Sequence, residues 1–333
     1  MTRTALVSAL ALVHVLLFPA AAAAPPLKVV ATTGMIADAA RNVAGDRAEV
    51  TALMGPGVDP HLYKATPGDV RALQAADLIL YNGLHLEGRL ADVLVRLART
   101  KSTVQVTESI DESLLREPPE FAGHFDPHVW FDPTLWIKAV ERTRDALAER
   151  DPASKATFAA NADRYIAELR ATHEWCRDQV NRIPRSDRVL VTAHDAFGYF
   201  GQAYGVEVHA IQGVSTDSEA ALKDINALVD LLVQRRLPAV FIESSVPRKA
   251  VDALIEGCKA RGHTVRVGGE LYSDALGAPG TPGQTYLGML RHNVETIVKA
   301  LAPDAPPAAP SPTGSASRPA EAPATPGPGG GAP

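Results

Sequence analysis

Apolar positions along this chain alternate between two periods, and the alternation occurs twice. Short runs rich in β-branched and apolar residues stand at 28–32 (KVVAT), 49–54 (EVTALM), 77–81 (DLILY) and 103–107 (TVQVT), with helix-period segments between them. Strands that alternate with helices predict a parallel sheet with crossover connections. The helix starts carry their own signals. In Thr66-Pro67-Gly68-Asp69 a capping hydroxyl, a first-turn proline and an acidic third position precede VRALQAA.

After Asn181 the same grammar restarts, with strands expected at 188–192 (RVLVT), 206–211 (VEVHAI), 238–242 (PAVFI) and 264–268 (TVRVG). Thr216, three residues before Glu219, and the pair Ser244-Ser245 are the expected caps of the helices that follow. The stretches VVATTGMIADAARNVAGDRAEVTALMGPG and RVLVTAHDAFGYFGQAYGVEVHAIQG echo one another as a weak internal repeat. Between the halves, Pro152 to Arg182 is rich in Ala, Glu, Arg and Leu, with Phe158, Tyr165, Ile166, Leu169, Trp175 and Val180 as its apolar positions and no Gly or internal Pro. A helix of about 30 residues there would be roughly 45 Å long, a stiff strut that argues against large hinge closure. The expected fold is therefore α/β: two four-stranded parallel-sheet lobes, 27–151 and 184–301, joined by a long backbone helix over 152–183.

The two ends differ from this body. Residues 1–24 have one early basic residue (Arg3), an apolar run from Ala5 to Phe18 and small residues from Ala20 to Ala24, the pattern of a secretory signal peptide. The run is too short for a spanning helix, which needs about 20 apolar residues. No Cys lies near the cleavage region, so the expectation is a soluble periplasmic protein without a lipid anchor. Residues 302–333 are almost entirely Pro, Ala, Gly, Ser and Thr and hold ten of the 26 prolines. Such a tail cannot bury enough surface to offset its ordering entropy and is expected to be disordered. A net charge of -5 without a basic stripe makes nucleic acid an improbable partner. Cys176 and Cys258 are too few for a cysteine metal site; they read either as a disulfide or as two buried thiols.

Candidate chemistry lies just past the strands. His61 follows the second strand of the first half, His128 the fourth, His194 the first strand of the second half and Asp274 its fourth. Ligands of open parallel sheets bind beyond the carboxyl ends of strands, so two donors from each half point to a metal site in the cleft between lobes. No local zinc motif is present, and spacing by itself is equally compatible with surface or structural histidines. That second reading is the one taken for His85, His124, His173, His209, His263 and His292.

The stretches GPGVDPHLYKATPGD (55–69), FDPHVWFDP (125–133), VTAHDAFGYFGQAYG (191–205), QGVSTDSEA (212–220), FIESS (241–245) and GGELYSDALG (268–277) resemble the zinc/manganese solute-binding proteins of bacterial metal ABC importers, the ZnuA/TroA-like family. The resemblance runs through nearly all of the chain between its two ends. It implies that His61, His128, His194 and Asp274 are four metal ligands in a cleft between two α/β lobes. It also implies delivery to the membrane permease of an ABC importer, which docks on exposed faces of both lobes, with the carrier a monomer and not an enzyme. Three imidazoles and one carboxylate favour Zn²⁺ over Mn²⁺, which prefers oxygen donors; manganese-selective relatives tend to have Glu where His194 stands. A bidentate Asp274 would suit Mn²⁺, so both metals stay in view. The His-rich loop of some zinc-specific relatives is absent, and with it a metal-gathering role for that loop.

Asp126, Asp132, Asp195 and Glu243 are placed to accept the second N–H of a ligand imidazole, although Asp132 and Asp195 read equally well as helix caps. Trp130, Phe131, Phe197 and Tyr199 are candidates either for an apolar wall around the ion or for ordinary core. The competing functional readings are an exported zinc hydrolase, with three of these ligands and Glu243 as general base, and a binder of iron chelates, haem or cobalamin.

Overall fold

The computed structural model describes residues 25–217 and 222–303. The segment expected to be a signal peptide (1–24), the expected tail from residue 304 onward and Glu219 lie outside the described residues.

The first lobe consists of β1 (Leu27–Ala31), α1 (Gly34–Ala44), β2 (Ala48–Ala52), α2 (Pro67–Ala75), β3 (Leu78–Tyr81), α3 (Ala91–Leu97) and β4 (Thr103–Gln105). Its four strands form one parallel sheet in the order β2-β1-β3-β4. Pleating sends alternate residues to opposite faces, and both faces are covered. Val29, Ala31, Leu78 and Leu80 enter a core with α1, whereas Val30 and Ile79 pack with Leu73, Leu90 and Leu94. Two buried faces explain why these strands read as continuous apolar runs. The capping box at Thr66 is formed: Asp69 N–H donates to Thr66 Oγ1 (3.2 Å), and Thr66 N–H to Asp69 Oδ2 (2.7 Å).

Next come α4 (Pro133–Arg150) and the long helix α5 (Lys155–Val180). With 26 residues, α5 is about 39 Å long. The second lobe follows with β5 (Val189–His194), α6 (Gly198–Tyr204), β6 (Glu207–Gln212), α7 (Leu222–Arg235), β7 (Ala239–Glu243), α8 (Lys249–Ala260), β8 (Arg266–Leu271) and α9 (Tyr286–Leu301). Its strands are parallel but ladder only in pairs, β5 with β6 and β7 with β8. The expected single four-stranded sheet is thus split, although β5 and β7 lie side by side. At their carboxyl ends a side chain does the bridging: Glu243 Oε1 accepts the main-chain N–H of His194 at 2.9 Å.

One apolar cluster crosses the boundary between lobes. It takes in Val29 and Met35 from the first lobe, Val140, Phe158 and Leu169 from α4 and α5, and Phe200, Tyr286 and Val294 from the second. A core shared this way resists relative motion of the lobes, because close-packed interiors deform poorly. Ser244 and Ser245 do not cap α8, whose first turn starts at Lys249 after Arg248; Ser245 Oγ instead hydrogen-bonds Ser273 Oγ at 2.9 Å. The cysteines are free and buried in separate cores, Cys176 with α5 and Cys258 with α8.

Candidate metal centre

His61, His128, His194 and Asp274 converge. One donor atom from each lies within 4.8 Å of the other three, and all four side chains are buried, the only such group among the described residues. His61 Nε2 and His128 Nε2 are 3.3 Å apart. Asp274 Oδ2 stands 3.2 Å from His194 Nε2 and 3.9 Å from His61 Nε2, and its Oδ1 is 3.4 Å from His128 Nε2. Two nitrogens bound tetrahedrally to one zinc ion would be separated by roughly 3.3 Å, so the cluster has the dimensions of a small cation's coordination shell. His194 Nε2 and both Asp274 carboxylate oxygens are buried without a hydrogen-bond partner. Buried polar atoms are rarely left in that condition, and a cation is the species that three nitrogens and a carboxylate would jointly satisfy.

The imidazoles are aimed by carboxylates. Asp126 Oδ1 takes both the main-chain N–H of His128 (3.0 Å) and its Nδ1 (2.8 Å). Glu243 does the same for His194, with Oε1 on the main chain and Oε2 at 2.5 Å from Nδ1. Each arrangement turns Nε2 toward the centre and fixes the tautomer that can ligate. The other two expected orienting residues act differently. Asp132 is the N-cap of α4, accepting from Thr134 N–H (2.8 Å) and Oγ1 (2.7 Å). Asp195 is pushed up by burial and by the charge of Asp126, and its main-chain N–H donates to Gly213 O at 3.3 Å. The second N–H of His128 and of His194 goes to Asp126 and Glu243 instead.

Side chains beyond the expected orienting carboxylates hold this arrangement together across the lobes. Arg116 Nη1 donates to Asp126 Oδ2 at 2.7 Å. Tyr199 of α6 donates its hydroxyl to Asp126 O and accepts from Arg116 N–H, both at 3.0 Å. Gly198 lies beside it, and a Cβ there would overlap the Arg116 guanidinium and displace it. Trp130 Nε1 donates to Ser273 O (3.0 Å), which ties the first lobe to the residue before Asp274. Asp59 accepts the main-chain N–H of His61 on Oδ1 (2.8 Å) and the hydroxyl of Thr216, from the opposite lobe, on Oδ2 (2.5 Å). A signal for Asp59 was present: Asp-Pro-His occurs at both 59–61 and 126–128. Trp130, Phe131, Phe197 and Tyr199 are all buried, with Phe131 stacked on Phe197 at 4.4 Å and Trp130 5.2 Å from the His128 ring.

The charge states differ between donors. Burial lowers His61 to about 3, with the Asp274 charge only partly opposing it. Burial also pulls on His128, but the hydrogen bond to Asp126 and the charges of Asp126 and Asp274 outweigh it and raise it to about 9. His194 is likewise raised well above its ordinary value, Asp274 and Glu243 overcoming burial. Asp274 is held well below the carboxylate range, burial being outweighed by His194 and His128. The surroundings thus push the imidazoles in different directions, His61 towards its neutral form and His128 and His194 towards the protonated one.

Comparison with known proteins gives this geometry a context. The family described as ZnuA, zinc-uptake complex component A, periplasmic, matches residues 29–300. The chain belongs to this family. It is 50% identical over 275 residues to the manganese-binding lipoprotein MntA of Bacillus subtilis, covering 83% of this chain and 90% of MntA. It is also 50% identical over 283 residues to the zinc-binding protein TroA of Treponema pallidum, covering 85% and 91%. The solved structure of Treponema TroA superposes with a TM-score of 0.81 at 49% identity, over 83% of this chain and 99% of that one. As a ZnuA-family member the chain is a substrate-binding protein of metal import and not an enzyme, and the hydrolase reading has no support.

Proposed function

We propose that this chain captures a single divalent cation, zinc before manganese, in the periplasm and hands it to the membrane permease of an ABC importer. His61, His128, His194 and Asp274 are its ligands, three through Nε2 and one through carboxylate oxygen. The supporting observation is the set of four buried donors within 4.8 Å of one another, with His194 Nε2 and the Asp274 oxygens otherwise unpartnered. Four protein ligands complete a tetrahedral zinc shell and leave no position for an activated water, which suits carriage. Zinc is favoured because imidazole nitrogens outnumber oxygens. Manganese is the second reading, carried by the equal identity to a relative named for manganese.

The proposed carrier works as a monomer. Several relatives are named lipoproteins, which weighs against the expected lack of a lipid anchor; among the described residues no helix is long and apolar enough to cross a membrane. Two measurements test the proposal. His194→Ala should weaken zinc binding by several kcal/mol, since a structural zinc site contributes about 10 kcal/mol or more over its ligands; an unchanged affinity in chelator competition would remove His194 from the site. Elemental analysis of protein isolated from its native periplasm should find zinc, and manganese in its place would reverse the order of the two metals.

A further inference from the structure

Three arginines gather around one cavity at the opposite end of β5 from His194. Arg177, Arg185 and Arg188 line it together with Asn181, Tyr204 and Gly205, and it encloses about 430 Å³. No carboxylate is among the residues that line it, although the chain as a whole has a net charge of -5. Arg188 immediately precedes β5 and His194 ends it, so a strand's length of roughly 20 Å separates the cavity from the buried donors.

The three differ in what already occupies them. Arg188 has only 9% of its surface exposed. Its Nε donates to Ile183 O at 2.8 Å and its Nη2 to Asn181 O at 3.3 Å, carbonyls just past the end of α5, where such groups need a donor. Those bonds use part of the guanidinium and hold it still. Nη1 has no acceptor in the protein; it stands beside Gly205, where a Cβ would come within 3.9 Å of it. Arg185, exposed on the turn before β5, has no carboxylate partner among the described residues. Arg177 is shared with the exposed Glu174 (2.5 Å) and with His173 Nε2 (2.6 Å), and the Tyr204 hydroxyl is engaged by His173 Nδ1 at 3.1 Å. A basic residue at a helix carboxyl end is favoured by the dipole, but that end supplies only about half an elementary charge, less than the guanidiniums collected here.

We propose that this cavity is an oxoanion site that takes a phosphate group, held by Arg188 Nη1 and by Arg185 from the rim, with Arg177 at its edge. Guanidinium donors match phosphate oxygens in geometry, and charge-assisted bonds of this kind are roughly twice as strong as neutral ones. An arginine already anchored on main-chain carbonyls loses little freedom when it binds, which is where affinity is otherwise lost. The cavity is larger than one phosphate needs, so it admits a phosphate with its water or with the organic substituent of an ester. Free phosphate and the phosphate of a lipid headgroup share this chemistry. The site is independent of the ligand assignment of the metal centre.

Equilibrium dialysis of the full, metal-stripped chain against radiolabelled inorganic phosphate tests it. The wild type should take up one phosphate, and Arg185→Gln and Arg188→Lys should each weaken it by about tenfold or more, as expected for a lost hydrogen bond between charged groups. Arg188 also holds the end of α5, so Arg185→Gln carries the test if Arg188→Lys fails to fold; an unchanged zinc affinity shows that a variant is intact. Arg99→Gln, an exposed arginine just after α3, removes the same charge elsewhere and should bind phosphate as the wild type does. In a second arm, the same proteins are floated with phosphatidylcholine vesicles with and without phosphatidylglycerol. Binding that needs phosphatidylglycerol and is lost in Arg185→Gln would assign the phosphate to a lipid headgroup. Uptake in neither arm, or uptake that the arginine variants of the cavity leave at wild-type strength, would reduce the arginines to caps of helix ends and overturn the proposal.

Discussion

The tripeptide Asp-Pro-His is built twice into the first lobe, at 59–61 and at 126–128, and its two copies do different things. Both start alike: the Asp Oδ1 accepts the main-chain N–H of the His two residues on. At 126–128 the same oxygen also takes the ring Nδ1, and Arg116 and Tyr199 hold the aspartate from behind. At 59–61 the second carboxylate oxygen turns away from its own histidine to the hydroxyl of Thr216 in the other lobe. His128 is consequently raised to about 9 and His61 lowered to about 3. One copy is braced by a carboxylate that favours its protonated form; the other is left to burial, and its backbone is linked across the cleft. Identical local sequence can thus yield opposite pKa shifts, because the partner of the aspartate is chosen by tertiary structure.

The largest expected effect tests the charge states. The surroundings of His128 and His194 raise both above their ordinary values, which favours the protonated form in the metal-free protein, and each must lose that proton to ligate. Binding therefore weakens as pH falls. Each displaced proton changes affinity about tenfold per pH unit, so two displaced protons give about a hundredfold loss from pH 7 to 6. Calorimetry in buffers of different ionisation enthalpy should detect their release, and a zinc affinity flat over that range would contradict the charged state of the His128 copy.

Exchange of the two aspartates sharpens the comparison. Asp126→Asn should cost zinc affinity about 10- to 100-fold, the usual penalty when the group orienting a ligand imidazole is lost, and should reduce proton release at pH 7. Asp59→Asn should cost less, because Asp59 holds only the main chain of its histidine. Equal losses in chelator competition would erase the distinction between the copies. Gly88→Ala should come next, at about 1 to 3 kcal/mol of thermal stability. Its φ of 31° and the His61 carbonyl where a Cβ would sit make any side chain there displace the 59–61 turn. Thr216→Val should have the smallest effect, about 1 kcal/mol for one hydrogen bond, confined to the His61 side and read as a shift in zinc affinity with the pKa of His128 unchanged.

Much of the architecture is already legible in the order of residues. The strand at 78–81 announces itself as Leu-Ile-Leu-Tyr because both of its faces are covered, and the start of α2 because Thr66 and Asp69 cap each other through contacts three residues apart. Such signals are local, so a linear reading reaches them. The four donors were visible too, as residues just past strand ends and as parts of the stretches shared with the ZnuA/TroA-like family.

What needed the folded chain is everything that depends on which distant group arrives beside a given side chain. Asp132 and Asp126 stand six residues apart on either side of the same histidine-bearing turn, yet one caps α4 and the other orients His128. No local rule separates them. The split of the second sheet, the docking of Arg116 against Gly198 and the bridge from Asp59 to Thr216 are likewise products of long-range packing. Secondary structure follows from the periodicity and capping of near neighbours, whereas a charge state or a ligand's aim is set by electrostatics and hydrogen bonds acting over a few ångströms of space, between residues that the chain keeps far apart until it folds.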